Sequence, residues 1–423
     1  MPAGVAMVTR RSVRYDMRRP ADSATGRTTP GAGSPTINDH EGVSSLRRYP
    51  AYDPPEYVDW EPDPDLVAAC LVAVRDDPER AAAFEALTAA DLLHLYRGLL
   101  RFRLHDIALQ RWVRQGVISK AWLGTGEEAV TIGAVHALRR GPAYTTPDGT
   151  WVGDVVGPMI RNAGACREMG MPLADMLRGY LGTADAPTGG RDLHIGDPEL
   201  GLVAPVSPVG ALCGVMNGYA LAFRRRGEDR VAMTWIGDGA TKHGEVHEAL
   251  NFAAVMQLPV VFILQNNQVA LGTRLDQHHK ADGFRGWARG YGMTCLAVDG
   301  NNVLDVHAAA ALAVEACREG RGPVAIAAET FRMGGHATHD VAEARRTFPA
   351  EQFARWGRRD PIGLYEECLL SMSDERTEGL TRERLSEIEA EVESEVEAAA
   401  EAALASREQA AAMPAAEEEA CYG

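Results

Sequence analysis

The chain has 423 residues, a net charge of −16 and an isoelectric point near 5.3. It is long enough for one large or two ordinary domains, and its acidity argues against general nucleic-acid binding. No apolar run approaches the roughly 18 residues of a membrane helix, which argues against a membrane protein. Seven cysteines without CxxC spacing favour reduced thiols, and only three of the 43 basic residues are lysines. These features favour a cytoplasmic, bacterial protein.

The N-terminal segment 1–50 is rich in Arg, Ser, Thr, Gly and Pro and is predicted to be a disordered tail. A globular domain is predicted over 51–370, with an opening helical part at 88–140. An amphipathic pattern that starts at Thr88 predicts a long helix, capped by Thr88 together with Asp91. A glycine-rich turn then leads into a second helix, and the doublet Glu127-Glu128 is interpreted as the polar edge of that loop.

The core of the domain is predicted over 150–335, where apolar runs alternate with helical patterns. Such alternation is typical of an α/β fold with a doubly wound, mostly parallel sheet. The predicted strands lie at 231–236, 259–264, 293–298 and 324–331, and the predicted helices between them begin near Lys242 and at Val303. An irregular loop is expected at 335–350, followed by a Glu- and Ala-rich helix at about 380–412 within the C-terminal segment 371–423.

Two polar motifs follow neighbouring predicted strands. The turn Gly237-Asp238-Gly239 comes after the first strand, and the pair Asn266-Asn267 comes after the second. Ligands of open α/β sheets bind at the carboxyl ends of the strands, and a helix that starts after a glycine turn presents N–H groups to anions. Carboxylate, amide and diphosphate oxygens together suit Mg²⁺. The pairing of the motifs therefore predicts a site for thiamine diphosphate and Mg²⁺.

Three further segments accompany these two motifs: GVISKAWLGTGEEAVTIGAV at 116–135, PMIRNAG at 158–164 and FRMGGHATHD at 331–340. With them, residues 92–361 resemble the alpha subunit of the thiamine diphosphate-dependent, decarboxylating first component of 2-oxo acid dehydrogenase complexes. That family includes the branched-chain 2-oxo acid, pyruvate and acetoin enzymes. The resemblance implies a thiamine diphosphate-binding fold with helical N- and C-terminal extensions.

The resemblance also implies roles for single positions. The Mg²⁺ ligands match Asp238, Asn267 and the main-chain carbonyl of Val269. His336 matches the active-site histidine of a flexible loop, which contacts the cofactor and assists acyl transfer. The other positions that match cofactor contacts are Arg161, Gly239 and Ala240 at the diphosphate, Ser207, Pro208 and Val209 at the aminopyrimidine, and Gln265 before the asparagine pair.

Some positions depart from the family pattern. Ile160 replaces an aromatic residue, Gln265 stands where branched-chain enzymes often carry Arg, and Ala337 replaces a serine that mitochondrial relatives phosphorylate. Thr338 is the hydroxyl nearest to that position. Other histidines are weaker candidates: His194 lies in a loop that the family places near the cofactor, His243 and His339 are interpreted as polar loop or helix-start residues, and His278-His279 as a solvated loop.

The residues before Gly153 are mostly helical and do not supply a pyrimidine-binding domain. The carboxylate that activates the cofactor is therefore expected from a separate beta subunit. The resemblance implies an α₂β₂ assembly that decarboxylates a 2-oxo acid and passes the acyl group to a lipoyl-bearing acyltransferase. Met333-Gly334 and Thr338 in the histidine loop favour a branched-chain substrate such as 2-oxoisovalerate. The alternatives are a pyruvate or acetoin dehydrogenase alpha subunit, or a non-catalytic paralogue that binds the cofactor.

Overall fold

The computed structural model describes residues 60–372 and 374–412. The predicted disordered tail at 1–50 and the chain after residue 412 lie outside the described residues. Within the described residues, strands and helices alternate from residue 155 onward, because short β-branched and apolar runs are separated by longer segments with helical periodicity.

Seven strands are present in the described residues: β1 (Val155–Gly157), β2 (Ala232–Gly237), β3 (Val260–Asn266), β4 (Val269–Ala270), β5 (Thr273–Arg274), β6 (Thr294–Asp299) and β7 (Val324–Glu329). Five of them form a parallel sheet in the order β1-β2-β3-β7-β6, whereas β4 and β5 form a small antiparallel hairpin. All neighbours in the large sheet run parallel, so their carboxyl ends share one edge.

The parallel sheet is covered on both faces. In β3, Val261 and Ile263 belong to one apolar core, and Val260 and Phe262 belong to the other. This alternation follows from the two-residue period of a strand, and burial on both faces explains why the strands are continuous apolar runs. The prediction of a doubly wound, mostly parallel α/β sheet is confirmed.

The helices surround this sheet. Those that precede β2 are α1 (Pro64–Arg75), α2 (Pro78–Glu85), α3 (Ala89–Arg114), α4 (Glu128–Val135), α5 (Ala163–Met169), α6 (Leu173–Leu181) and α7 (Ala211–Arg226). Those that follow β2 are α8 (Gly244–Val255), α9 (Leu275–His278), α10 (Val303–Arg318), α11 (Val341–Thr347), α12 (Ala350–Gly357), α13 (Pro361–Ser371) and α14 (Arg382–Ala412). None of the described helices is long and apolar enough to cross a membrane.

The predicted helices agree with these bounds, with one error. Thr88 caps α3, and Thr88 and Asp91 exchange the two hydrogen bonds of a capping box, as their spacing predicts. The prediction of an irregular segment at 335–350 is wrong in part, because α11 lies inside it. The short α11 is supported by packing: Phe331 and Phe348, on either side of it, are in contact with 5.0 Å between their ring centroids.

Candidate functional site

Four segments converge at the carboxyl edge of the sheet. Arg161 follows β1, Asp238 follows β2, Asn267 follows β3, and His336 lies in the loop after β7. Because β1, β2, β3 and β7 are adjacent and parallel, their ends bring residues together that are far apart in sequence. This edge is the usual ligand-binding position of such sheets.

Asp238 and Asn267 each have a buried oxygen that accepts no hydrogen bond from the described residues. Their strands are in register, with Gly237 opposite Gln265. Asp238 Oδ1 accepts a hydrogen bond from Gly239 N at 2.8 Å, whereas Asp238 Oδ2 and Asn267 Oδ1 have no hydrogen-bond partner among the described residues. Buried polar atoms are rarely left unpaired, and a carboxylate and an amide oxygen are ligands suited to a hard cation. The two side chains therefore fit the predicted Mg²⁺ site.

The third predicted ligand, the carbonyl of Val269, belongs to the hairpin of β4 and β5. Val269 is buried, and Gln268 before it adopts a left-handed backbone with φ 72°. The hairpin lies directly against the glycine turn, since a Cβ on Gly239 would be 2.4 Å from the Cβ of Ala270. Only glycine allows this approach, so the turn and the hairpin that carries the third predicted ligand are packed together.

Two guanidinium groups lie at the same edge with unused donors. Arg332 is buried and donates to the carbonyls of Gly334 at 3.0 Å and Leu271 at 2.8 Å, but its Nη1 has no partner among the described residues. Arg161 Nε likewise has no hydrogen-bond partner there. Guanidinium groups pair with phosphate oxygens through two parallel hydrogen bonds. The site thus combines oxygens suited to a cation with donors suited to an anion, and a metal-bound diphosphate would require both.

Burial and neighbouring charges shift the pKa values of these groups. Burial raises the pKa of Asp238 to about 6, with Glu127 adding to the shift and Arg161 opposing it. Burial and then Arg161 lower the pKa of Arg332 to about 10. Groups of both signs therefore lie close together away from water, where electrostatic interactions are strongest.

Arg161 also holds the loop histidine. Its Nη1 donates to His336 Nδ1 at 3.2 Å and to the His336 carbonyl at 3.3 Å. Burial, with help from Arg161 and Arg332, lowers the pKa of His336 to about 4. The imidazole is therefore neutral near pH 7, and because Nδ1 accepts a hydrogen bond, Nε2 carries the proton.

The histidine loop is fixed further along by Thr338. Its N–H donates to the Ala121 carbonyl at 2.9 Å, and its hydroxyl accepts from Ala121 N at 3.0 Å. These two bonds join the loop to the segment that leads into α4. The hydroxyl of Thr338 is therefore engaged within the chain.

The interpretation of Glu127 and Glu128 as a polar loop edge is wrong, because both side chains are completely buried. Glu127 Oε1 accepts hydrogen bonds from Asn267 Nδ2 at 2.8 Å and from Gln265 Nε2. Glu128 is paired with Arg103 instead. A sequence signal did exist: two carboxylates open a helix that is otherwise made of apolar and small residues.

The interpretation of His278 and His279 as a solvated loop is also wrong. His278 ends α9, and its Nε2 lies 3.6 Å from Asp238 Oδ2. His279 stacks on Phe284 with 4.0 Å between ring centroids and contacts Lys242 Nζ at 2.8 Å. Both histidines are thus partly buried beside the site.

Gln265 is buried beneath the site, and its carbonyl oxygen accepts from Asn162 Nδ2 at 2.9 Å. Ile160, the other departure close to the site, is half-buried beside Arg161. Gln265 therefore uses both ends of its amide within the chain, through Asn162 and Glu127. It stays a predicted cofactor contact, and its observed partners are protein groups.

Other predicted residues are not drawn into this network. Ser207, Pro208 and Val209 form an exposed loop, and Val209 keeps 53% of its surface. His194 contacts Asp192 at 2.7 Å. His243 and His339 are exposed at a helix start and in a loop, as expected.

The family model of the dehydrogenase E1 component matches residues 97–412. Among curated proteins, the 3-methyl-2-oxobutanoate dehydrogenase subunit alpha of Mycobacterium tuberculosis (strain CDC 1551 / Oshkosh) is 35% identical over 294 residues, 69% of this chain and 72% of the relative. The 2-oxoisovalerate dehydrogenase subunit alpha of Bacillus subtilis (strain 168) is 32% identical over 67% of this chain and 83% of its own. The protein of the same name from Pseudomonas aeruginosa is 32% identical over 78% and 80%.

The fold, the site and these similarities define the class of protein as a thiamine diphosphate-dependent dehydrogenase. In particular, the chain belongs to the dehydrogenase E1 component family, whose model spans most of its length. The predicted family is therefore confirmed.

Proposed function

We propose that the chain is the alpha subunit of a branched-chain 2-oxo acid dehydrogenase that binds thiamine diphosphate through Mg²⁺. With a beta subunit, it oxidatively decarboxylates a substrate such as 2-oxoisovalerate and transfers the acyl group to a lipoyl group. The observation that carries the proposal is the pair of unpartnered buried oxygens, Asp238 Oδ2 and Asn267 Oδ1. They lie at the edge that also holds unused guanidinium donors.

Each residue has a definite task in this proposal. Asp238, Asn267 and the Val269 carbonyl hold Mg²⁺, while Arg161 and the backbone of Gly239 and Ala240 bind the diphosphate. The cofactor, when bound, supplies the electron sink for loss of CO₂ from a 2-oxo acid. His336 presents a neutral imidazole whose Nε2–H is available as a hydrogen-bond donor during acyl transfer. Arg161 keeps that ring in place through Nδ1.

A beta subunit completes the site in this proposal. The described residues contain one large sheet, which supplies diphosphate and metal ligands. Ser207, Pro208 and Val209, which match the aminopyrimidine contact, are exposed in the isolated chain. A partner that covers this loop would bring the activating carboxylate, as expected for an α₂β₂ assembly that hands its product to a lipoyl-bearing acyltransferase.

The substrate follows from the relatives. The three proteins compared above are named for 3-methyl-2-oxobutanoate or 2-oxoisovalerate, which favours a branched-chain substrate over pyruvate or acetoin. Because Ile160 and Gln265 depart from the family pattern, a non-catalytic, cofactor-binding role is the second candidate.

The proposal is tested by producing the chain alone and together with a beta subunit from the same genome. The decarboxylation of 2-oxoisovalerate, the decarboxylation of pyruvate and the cleavage of acetoin are each followed with an artificial electron acceptor. We expect negligible turnover by the chain alone, and turnover of 2-oxoisovalerate by the assembled enzyme at least about tenfold above that of the other substrates. Robust turnover without a partner contradicts the shared site, and cofactor binding without turnover in the assembly identifies the non-catalytic paralogue.

A further inference from the structure

Glu127 lies directly behind one of the proposed metal ligands. Its side chain is completely buried at the start of α4. Glu127 Oε1 accepts hydrogen bonds from Asn267 Nδ2 at 2.8 Å and from Gln265 Nε2. Its other oxygen, Oε2, has no hydrogen-bond partner among the described residues and lies 3.8 Å from Arg161 Nε. One carboxylate therefore contacts a metal ligand and lies next to the diphosphate arginine.

The hydrogen bond to Glu127 fixes which end of the Asn267 amide faces the carboxylate. An asparagine side chain carries an oxygen and an NH₂ group of nearly the same shape, and rotation by 180° exchanges them. Asn267 donates to Glu127 Oε1, and only the NH₂ group of an amide can donate, so the NH₂ group faces Glu127. The Asn267 oxygen is then directed to the opposite side, where it has no protein partner. A metal ligand needs this orientation, because an NH₂ group cannot bind Mg²⁺.

Glu127 is itself held by a chain of buried amides. Thr131 Oγ1 accepts from Asn162 Nδ2 at 2.7 Å, and the same nitrogen donates to Gln265 Oε1 at 2.9 Å. Gln265 then donates to Glu127. All of these side chains are fully buried, where each hydrogen bond is stronger than it would be in water. Gln265 thus has a task in this chain that requires no contact with the cofactor.

We propose that Glu127 is a positioning residue for the metal site: it fixes the amide of Asn267 with its oxygen toward Mg²⁺. This inference rests on the proposed function, because it concerns Mg²⁺ bound with thiamine diphosphate. Outer-shell partners that orient a ligand typically change metal affinity by about 10- to 100-fold. The carboxylate acts through Asn267 and has no contact of its own with the metal.

The test compares two variants of almost equal size in the assembled enzyme. Glu127→Met removes the acceptor, and Glu127→Gln keeps an acceptor oxygen while removing the charge. Both are stripped with EDTA, and Mg²⁺ is titrated by calorimetry in the presence of saturating thiamine diphosphate. We expect the Mg²⁺ dissociation constant to rise about 10- to 100-fold in Glu127→Met and to stay within a factor of about three in Glu127→Gln, because the amide can still accept from Asn267.

Glu128→Gln is the matched control, since Glu128 is the adjacent residue, is equally buried and is paired with Arg103. Its Mg²⁺ affinity should equal that of the wild type even if its melting temperature falls. Wild-type affinity in Glu127→Met overturns the inference. A loss in Glu127→Gln of tenfold or more also overturns it, since charge would then be the cause; this comparison stands even if Glu127→Met does not fold. A wild-type enzyme that binds thiamine diphosphate without Mg²⁺ overturns the proposed function itself.

Discussion

The carboxylate of Asp238 is held where its charge is unfavourable. The side chain is buried at the end of β2, one of its oxygens has no hydrogen-bond partner among the described residues, and its pKa is raised to about 6. A buried, unpaired charge destabilises a fold unless a cation or donor compensates for it. Asp238 is thus a residue whose position favours ligand binding over the stability of the chain itself.

Replacement of Asp238 by alanine should separate binding from stability. We expect Asp238→Ala to weaken Mg²⁺-dependent binding of thiamine diphosphate by more than about 100-fold, because a direct ligand matters more than the residues behind it. The melting temperature without cofactor should stay the same or rise. Calorimetric titration and thermal unfolding measure the two quantities. Asp229→Ala, which removes an exposed aspartate before the same strand, is the control, and unchanged cofactor affinity in Asp238→Ala would refute the ligand assignment.

Single residues were predictable from sequence where a strand end fixes them. Asp238 and Asn267 each follow an apolar run, so their place at one edge of the sheet is a local inference. Glu127 was misjudged because the depth at which a carboxylate is buried depends on elements that are distant in sequence, here β3 and its asparagine pair. The position of His278 was unpredictable for the same reason, because Asp238, which lies 3.6 Å from it, follows a different strand.

Among the elements, the long α14 is held by both apolar packing and ion pairs. It packs along α3 and α6 through a buried stripe that comprises Leu385, Ile388, Val392 and Val396. At its margins, arginines of α3 meet glutamates of α14 in the pairs Arg97–Glu391, Arg101–Glu395 and Arg111–Glu397. The pairs are partly exposed, so water screens them. The stripe therefore provides the stability, and the ion pairs favour one alignment of the helices.

Two substitutions test this division. Ile388→Ala should lower the free energy of unfolding by about 2–5 kcal/mol, because it opens a cavity at a fully buried position. Arg97→Ala removes a partly exposed ion pair between α3 and α14. It should lower the free energy of unfolding by no more than about 1 kcal/mol. Urea unfolding of both variants and the wild type gives the values. A larger effect of Arg97→Ala than of Ile388→Ala would show that the ion pairs dominate the contact.

Elements with a strong local pattern were predicted well. The helix α10 has the bounds 303–318 that its periodicity indicates, and α3 begins at the cap that Thr88 supplies. The short α11 was missed because seven residues give little periodicity, and isolated helices of that length are not stable in water. Its formation depends on tertiary packing of the aromatic residues that flank it, among them Phe331 and Phe348.

At the scale of the whole molecule, the neighbouring helices α7 and α8 leave several large apolar side chains exposed. Val215 and Tyr219 on α7, with Phe252 and Val255 on α8, keep between 38% and 72% of their surface exposed, and α7 packs against α8. Exposed apolar side chains that cluster mark surfaces for association. The periodicity of each helix was readable from the sequence, but which apolar face lies inside depends on the arrangement of all the layers. The surface agrees with a chain that works in an assembly.

At the carboxyl edge, buried polar atoms of Asp238, Asn267, Arg161 and Arg332 are among those that have no hydrogen-bond partner in the described residues. Each unpaired buried group costs roughly 1–3 kcal/mol, so a ligand that pairs with them stabilises the entire fold. At 100 times its dissociation constant, such a ligand adds about 2.7 kcal/mol. Digestion by trypsin should therefore slow when thiamine diphosphate and Mg²⁺ are added together, and EDTA should abolish the protection. Thiamine without its diphosphate is the control, and equal digestion rates in all samples would contradict the linkage.

The same linkage extends to the life of the protein in a cell. Proteases remove mainly the copies that unfold, and a change of 1–2 kcal/mol in stability alters abundance several-fold. Copies loaded with cofactor would persist, and copies without it would be degraded. Vitamin supply would then set how much of this enzyme a cell contains, in addition to how much of it is active.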